Sequence, residues 1–380
     1  MLPTALGHAA TDDPMPNARH IANIERGLLP TRSLAASAPG AVTLAEEMRR
    51  LHVPGVSVAV IHDGKIAWAK GYGMTQAGGN TPITPATLFQ AASISKSVTA
   101  IAAMRMVQDG VLELDRPAND YLVSWKLPAP SDSGIVTVRQ LLSHTAGVTV
   151  SGFPGYAAGK PVPTLIQVLN GVPPAVTEPV RVTSAPGTEW RYSGGGYAVI
   201  QQLMMDVDKK PFAALMDERV LRPMQMHDSG FLQPASAVML ARAAMPHDSS
   251  GVAYAGGPWT YPELAAAGLW STPTDLAKLL IGLQGAPAGK TAPFLTASMA
   301  KTMFTVVRNG YALGFKMEAA RSLISFGHGG HNHGYQSSML AYLDSGEGVV
   351  VMTNGDGGDE LAESLIRAVA AEYGWPPYHP

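Results

Sequence analysis

The stretch FQAASISKSVTAIAAMRMVQDG, residues 89–110, sets two serines and a lysine at the start of an apolar run in which Arg105 is the only charge between Ser97 and Val107. A lysine at the mouth of a buried segment costs desolvation free energy unless something uses it. If a helix begins near Ser93, then Ser93 and Lys96, three residues apart, lie on one face within reach of each other. Ser93 would also own one of the first backbone N–H groups, which has no intrahelical acceptor and points out of the positive end of the helix. That is half of an oxyanion hole, beside an amine that burial favours in its proton-accepting form. The bland reading is that a serine ahead of an Ala-rich helix is an N-cap. A second Ser-x-x-Lys at Ser298–Lys301 shows how readily the spacing arises, and its flanks PFLTASMAKTMF read as a surface helix.

Outward from this stretch, composition removes several function classes. The 380 residues are 46% hydrophobic, enough for a sizeable core, and carry 27 basic against 29 acidic side chains. A net charge of −2 offers no basic face for nucleic acid or anionic lipid. The absence of cysteine excludes disulfides, thiolate metal sites and a cysteine nucleophile, so covalent catalysis must use another group. No run reaches the roughly 18 apolar residues that a membrane helix needs. The opening MLPTALGHAATDD lacks a basic n-region, yet ALGHAA ahead of two aspartates resembles the tail of a signal peptide. Cytoplasmic and periplasmic locations both stay open.

Residues 1–40, rich in Pro, Ala and Ser, read as an irregular leader, and 43–52 have helical spacing. GVSVAVIHDGKIAWAKGYG, 55–73, reads as two strands joined at Asp63-Gly64, a strong hairpin signal. Near the other end, 337–343 and 348–354 pair around Gly346, followed by a helix over 360–374. Between them the patterns are mostly helical, with Pro- and Gly-rich loops over 146–188 and 246–273. One α/β sheet built from 41–79 and 300–380, with a mostly helical region 80–299 beside it, accounts for this order and puts a cleft at their junction.

Three motifs in sequence order then carry a resemblance: SISK (93–96), WRYSGGGY (190–197) and GHGGHNHGY (327–335). Together with LLSHTAGV (141–148), LELDRPANDYL (112–122), GLWSTPTDLAKLL (268–280) and VVVMTN (349–354), the chain from about 45 to 375 resembles the serine β-lactamase-like superfamily. That group includes class C β-lactamases, D-alanyl-D-alanine carboxypeptidases and family VIII carboxylesterases. The resemblance implies a β-lactamase-like α/β fold, an antiparallel sheet from both chain ends flanked by helices. It also implies Ser93 as the acylated nucleophile, with Lys96 and Tyr192 moving its proton. His328, Gly329 and Gly330 occupy the Lys/His-x-Gly place, and the backbone N–H of His331 would join that of Ser93 as the oxyanion donors. No cofactor or metal is expected, although His328, His331 and His333 crowd three imidazoles as a metal cluster would. His144 reads as a structural loop histidine and Asp115 as a loop anchor.

The chain departs from that pattern at Gly194, where a Tyr-x-Asn motif has its amide, and in carrying His at 328 instead of a lysine. Without the amide and the fixed cation, an ester lacking an anionic group is the expected substrate, a short-chain carboxylic ester cleaved through an acyl-enzyme. The alternatives are a D-alanyl-D-alanine peptidase or β-lactamase of the same superfamily, and a non-catalytic relative that binds through the same cleft. Phe153, Tyr156, Trp259 and Tyr261 either line a pocket or cap the helical region.

Overall fold

The computed structural model of the protein describes residues 15–29, 40–290, 294–320 and 323–376. The hairpin forms where the sequence places it: β1 (Gly55–His62) and β2 (Lys65–Gly73) turn at Asp63 and Gly64, both with positive φ (52° and 70°). From the other end come β5 (Lys316–Ala320), β6 (Leu323–Asn332), β7 (Tyr335–Tyr342) and β8 (Gly348–Thr353). The six strands make one antiparallel sheet in the order β2-β1-β8-β7-β6-β5, so the two chain ends meet at the β1–β8 pair. A two-residue pair, β3 (Phe89–Gln90) with β4 (Trp270–Ser271), stands apart.

Side chains alternate across the sheet. Val56, Val58 and Val60 of β1 join Val349 and Val351 of β8 on one face, where α13 (Gly358–Glu372) contributes Leu361, Leu365, Ile366 and Val369. Ala59, Ile61, Val350 and Met352 point the other way, into the larger core. That core is built on α3 (Ile94–Gln108), buried on every side through Met104, and on α7 (Gly194–Asp208). A helix apolar all round belongs in the middle of a core, not on a surface.

Short helices complete the helical side: α4 (Ala118–Tyr121), α5 (Val138–Leu142), α6 (Leu165–Asn170), α8 (Phe212–Met216), α9 (Ala237–Leu240) and α10 (Leu264–Ala267). α11 (Pro273–Leu283) lies in sequence within that region but packs on β1, β2 and β8. α12 (Ala297–Phe304) carries Ser298 and Lys301 on its exposed side, as its sequence suggests.

The leader is not irregular throughout. Residues Met15–Arg26 form α1, which buries Ile24 and docks on the end of α13, with the His20 ring 2.6 Å and the Asn23 amide 3.0 Å from Glu372 Oε1. The reason is apolar spacing: Ile21 and Ile24 repeat at helical intervals and find the face shared by α13 and α2 (Leu44–Arg50). The signal-peptide-like ALGHAA lies outside the described residues. Among the described residues no helix is long and apolar enough to cross a membrane.

Candidate active site

The start of α3 is held in an unusual shape. Ala92, the residue before Ser93, has φ +49°, a left-handed conformation that costs a non-glycine residue about 1–3 kcal/mol. Its neighbours fix it: Ala91 N–H donates to Leu269 O (2.8 Å), Ser95 Oγ donates to Ala92 O (2.5 Å), and Leu269 N–H donates back to Ser95 Oγ (3.0 Å). Ser93 then stands at the N-cap position but its side chain makes no capping hydrogen bond. Instead Lys96 Nζ donates to Ser93 Oγ at 2.9 Å. The N-cap reading is set aside by that geometry.

Lys96 is 2% exposed, and its second donor bond goes to Ala266 O (2.8 Å) at the end of α10. It forms no ion pair among the described residues, so the amine faces a hydroxyl, a carbonyl and aromatic rings. The Tyr192 ring centroid is 5.0 Å from Nζ and that of Tyr197 is 6.0 Å. The Tyr192 hydroxyl itself has no hydrogen-bond partner among the described residues. The Ser93–Lys96 contact is thus formed, while Tyr192 stands beside the pair without bonding to it, as is common before substrate tightens a site.

Tyr192 is positioned from behind. Ser193 caps α7, accepting from Gly196 N–H (2.9 Å) and donating to Thr149 O (2.9 Å), and its own N–H donates to His144 Nδ1 (3.1 Å). The His144 ring packs 4.3 Å from that of Tyr192 and 4.8 Å from that of Tyr311. Because Nδ1 accepts, the proton sits on Nε2, which is buried without a partner among the described residues. Burial, with Lys96 and His328 nearby, holds His144 well below the usual histidine range, so it is a neutral brace. Asp115 anchors its loop through a two-pronged pair with Arg139 at 2.7 Å. Gly194 does more than omit an amide: a Cβ there would lie 3.0 Å from the Phe153 ring, which occupies that space.

On the opposite wall, β5 pairs with β6 only as far as Gly327, leaving 328–332 without a strand neighbour on that edge among the described residues. This free edge runs past the start of α3. A Cβ on Gly330 would meet Ala91 O at 2.3 Å and Ser93 N at 3.0 Å, so glycine is what lets the strand approach the helix end. His331 follows, paired with Gln336 of β7, with its side chain exposed. His328 places Nδ1 on Gly329 O and Nε2 3.1 Å from the Tyr311 hydroxyl. Burial and the nearby Lys96 push it down to about 4.

The three imidazoles of HGGHNH do not converge: His328 meets Tyr311, His331 is exposed, and the His333 ring lies 3.9 Å from that of Trp259. Among the described residues the one arrangement with metal-ligand spacing is His62, Asp63 and Glu347 at the far turns of the sheet, where Glu347 Oε2 already accepts from Trp375 Nε1 (2.7 Å). A cavity of about 350 Å³ opens beside Tyr192 and His328, running between the free edge of β6 and the first turns of α13. Trp259 lines a second cavity of about 350 Å³, whereas Tyr156 and Tyr261 are buried, 5% and 1% exposed. A wider groove, about 950 Å³ between α2 and β2, touches none of these residues.

Sequence reasoning missed Tyr311, Trp190 and the Ala266 carbonyl. The first two sit in irregular segments with no period, and a carbonyl is carried by every residue alike.

The β-lactamase family model matches residues 42–373. Protein flp of Staphylococcus aureus (strain MW2) is 24% identical over 323 residues, covering 82% of this chain. The unguisins hydrolase ungD′ of Aspergillus campestris is 28% identical over 334 residues, covering 83%. In both cases the chain spans 61% of the relative's length. In fold it is similar to the octameric penicillin-binding protein homologue from Pyrococcus abyssi, with a TM-score of 0.72 at 24% identity over 88% of this chain and 76% of that one. A serine and a lysine in contact at the head of the central helix, within a sheet-and-helix frame matched along most of its length, place this chain in the β-lactamase family of serine hydrolases.

Proposed function

We propose that this protein cleaves short-chain carboxylic esters through an acyl-enzyme on Ser93. The observation that carries the reading is the 2.9 Å contact of Lys96 Nζ with Ser93 Oγ inside a site with no carboxylate partner for the amine. In this reading Lys96 and Tyr192 act as the pair that takes the Ser93 proton as Oγ attacks the ester carbonyl and passes it to the departing alkoxide. The carbonyl oxygen, now negative, is held by the N–H groups of Ser93 and His331, each such donor being worth about 10²- to 10³-fold in rate. Water then attacks the acyl-serine with the same groups in reverse roles.

Two features support an ester over a peptide or β-lactam. Phe153 fills the place beside Gly194 where a side-chain amide would stand, and His328 is neutral at physiological pH. The fold likeness to a penicillin-binding protein homologue keeps the peptidase and lactamase readings as competitors. Turnover of p-nitrophenyl butyrate, nitrocefin and a D-Ala-D-Ala peptide separates them, with the butyrate expected fastest; faster turnover of either other substrate reverses the ranking. Mass measurement after fluorophosphonate treatment should place the added mass on the Ser93 peptide. An unmodified Ser93 with no turnover would instead favour a binding relative.

A further inference from the structure

The two N–H groups assigned to the oxyanion come from different elements, Ser93 from the head of α3 and His331 from the free edge of β6. A developing charge is held only where both donors reach it, so their separation has to be fixed to within about 0.5 Å. Among the described residues no backbone hydrogen bond joins 328–332 to 89–96. Side chains make the crossing. Ser337 of β7 donates to Ala91 O at 2.9 Å, and Asn332 Nδ2, at the end of β6 itself, donates to Gln90 Oε1 at 2.7 Å.

Asn332 is 2% exposed, and its Nδ2 has a second acceptor, Ala267 O at 3.1 Å, on the last residue of α10. A carbonyl oxygen can only accept, so the nitrogen of the Asn332 amide is the atom on that side. Gln90 is 1% exposed and is fixed from its far end in the same way: Nε2 donates to Trp259 O at 2.8 Å, which leaves Oε1 to accept from Asn332. From Ala267 O through Asn332 and Gln90 to Trp259 O, every donor in the series meets an acceptor.

The residues so joined adjoin each working part of the site. Asn332 follows His331, Gln90 stands three residues before Ser93, and Ala267 follows Ala266, whose carbonyl accepts from Lys96 Nζ at 2.8 Å. One side-chain amide thus ties together the strand with one oxyanion donor, the segment with the nucleophile and the other donor, and the short helix that holds the amine. Both hydrogens of its nitrogen are spent on Gln90 and Ala267, so it acts through the backbone it holds.

We propose that Asn332 is a positioning residue of the oxyanion site. By donating to Gln90 and Ala267 it sets the end of β6, and with it the His331 N–H, against the head of α3. Its effect on rate rests on the acyl-enzyme reading, to which it adds the group that holds the two donors in register.

Asn332→Leu keeps the bulk of the side chain and removes both bonds. Fluorophosphonate titration read by intact mass counts the folded, reactive sites. Per titrated site, kcat for p-nitrophenyl butyrate should fall about 10²-fold with KM held within about threefold. A role in folding alone would instead lower the melting temperature and the number of titrated sites while leaving kcat per site unchanged, and that outcome overturns the proposal. Gln90→Leu removes the same bond from its other partner and serves if Asn332→Leu is not recovered folded. Its kcat should fall at least about 10-fold, and the double variant should be no slower than Asn332→Leu, because the two residues act through one bond. Losses that multiply overturn the proposal. Crystal structures of the intact protein and of either variant need no turnover: the separation of Ser93 N from His331 N should change by about 0.5 Å or more. An unchanged separation overturns the proposal even in an inert protein. An intact protein whose Ser93 takes up no fluorophosphonate and which turns over no butyrate sinks the esterase reading instead, and the separation still decides the role of Asn332.

Discussion

At the scale of single residues the site depends on close approach. Gly330 has its Cα where a side chain would strike two backbone atoms, Ala91 O and Ser93 N, and backbone cannot swing aside as a side chain can. Gly329, one residue earlier, meets nothing nearer than Ser337 O at 3.8 Å. Gly330→Ala should therefore push the strand off the helix start and lower kcat by about 10²-fold or more, the cost of misplacing one oxyanion donor. Gly329→Ala should lose far less. Steady-state kinetics with a thermal melt of each variant checks this, and equal losses from the two would remove Gly330 from its assigned role. Ala92 belongs to the same account: its left-handed backbone is sustained because the bonds through Ala91, Ser95 and Leu269 over-determine the turn.

At the scale of elements, four-residue α10 does two jobs. Its end supplies Ala266 O to Lys96, and the residue just before it, Glu263, is fully buried with neither carboxyl oxygen hydrogen-bonded among the described residues. Burial pushes that carboxyl up to about 8 from its ordinary 4.5, so it is mostly protonated at neutral pH. A group whose folded pKa is raised binds more protons folded than unfolded. Its contribution is complete below about 4.5 and is lost as pH rises toward 8 and beyond. Melting temperature should accordingly fall between about pH 5 and about pH 8 and level off above, and Glu263→Gln should flatten that fall. Parallel curves for the two proteins would show that Glu263 is not the group responsible. The neutral His328 works in the opposite sense, costing stability as pH drops from 6.5 toward about 4 because the unfolded chain then takes up a proton the native ring refuses.

At the scale of the whole molecule, the sheet cannot be assembled from either end alone. β1 of the first hairpin is completed by β8 from the other end, and α13 covers their shared face with α1 docked against it. A chain ending at Gly357 would uncover Val56, Val58, Val349 and Val351 and lose Leu361, Leu365, Ile366 and Val369, all 1% exposed or less. At about 1.5–3 kcal/mol for each of the four lost side chains, this equals the roughly 5–15 kcal/mol that a domain has in total. The truncated protein should be insoluble or show no cooperative melt by circular dichroism; a cooperative transition near that of the full chain would mean that α13 is dispensable.

The amino-acid sequence by itself determined the elements that have a local period or a local turn. The Asp63-Gly64 hairpin, the strands around Gly346, the final helix and the Ser93–Lys96 face at the head of α3 are all written in spacings of two, three or four residues. It also carried the family likeness through motifs in order. Tertiary structure alone decided what stands opposite those motifs. Tyr311 on His328, Phe153 in the space beside Gly194, Ala266 O on Lys96 and the sealed carboxyl of Glu263 each join or enclose groups far apart along the chain. No local pattern records such meetings, because a side chain's charge and hydrogen bonds depend on its neighbours in space, and these are set only once the sheet closes and the helices pack.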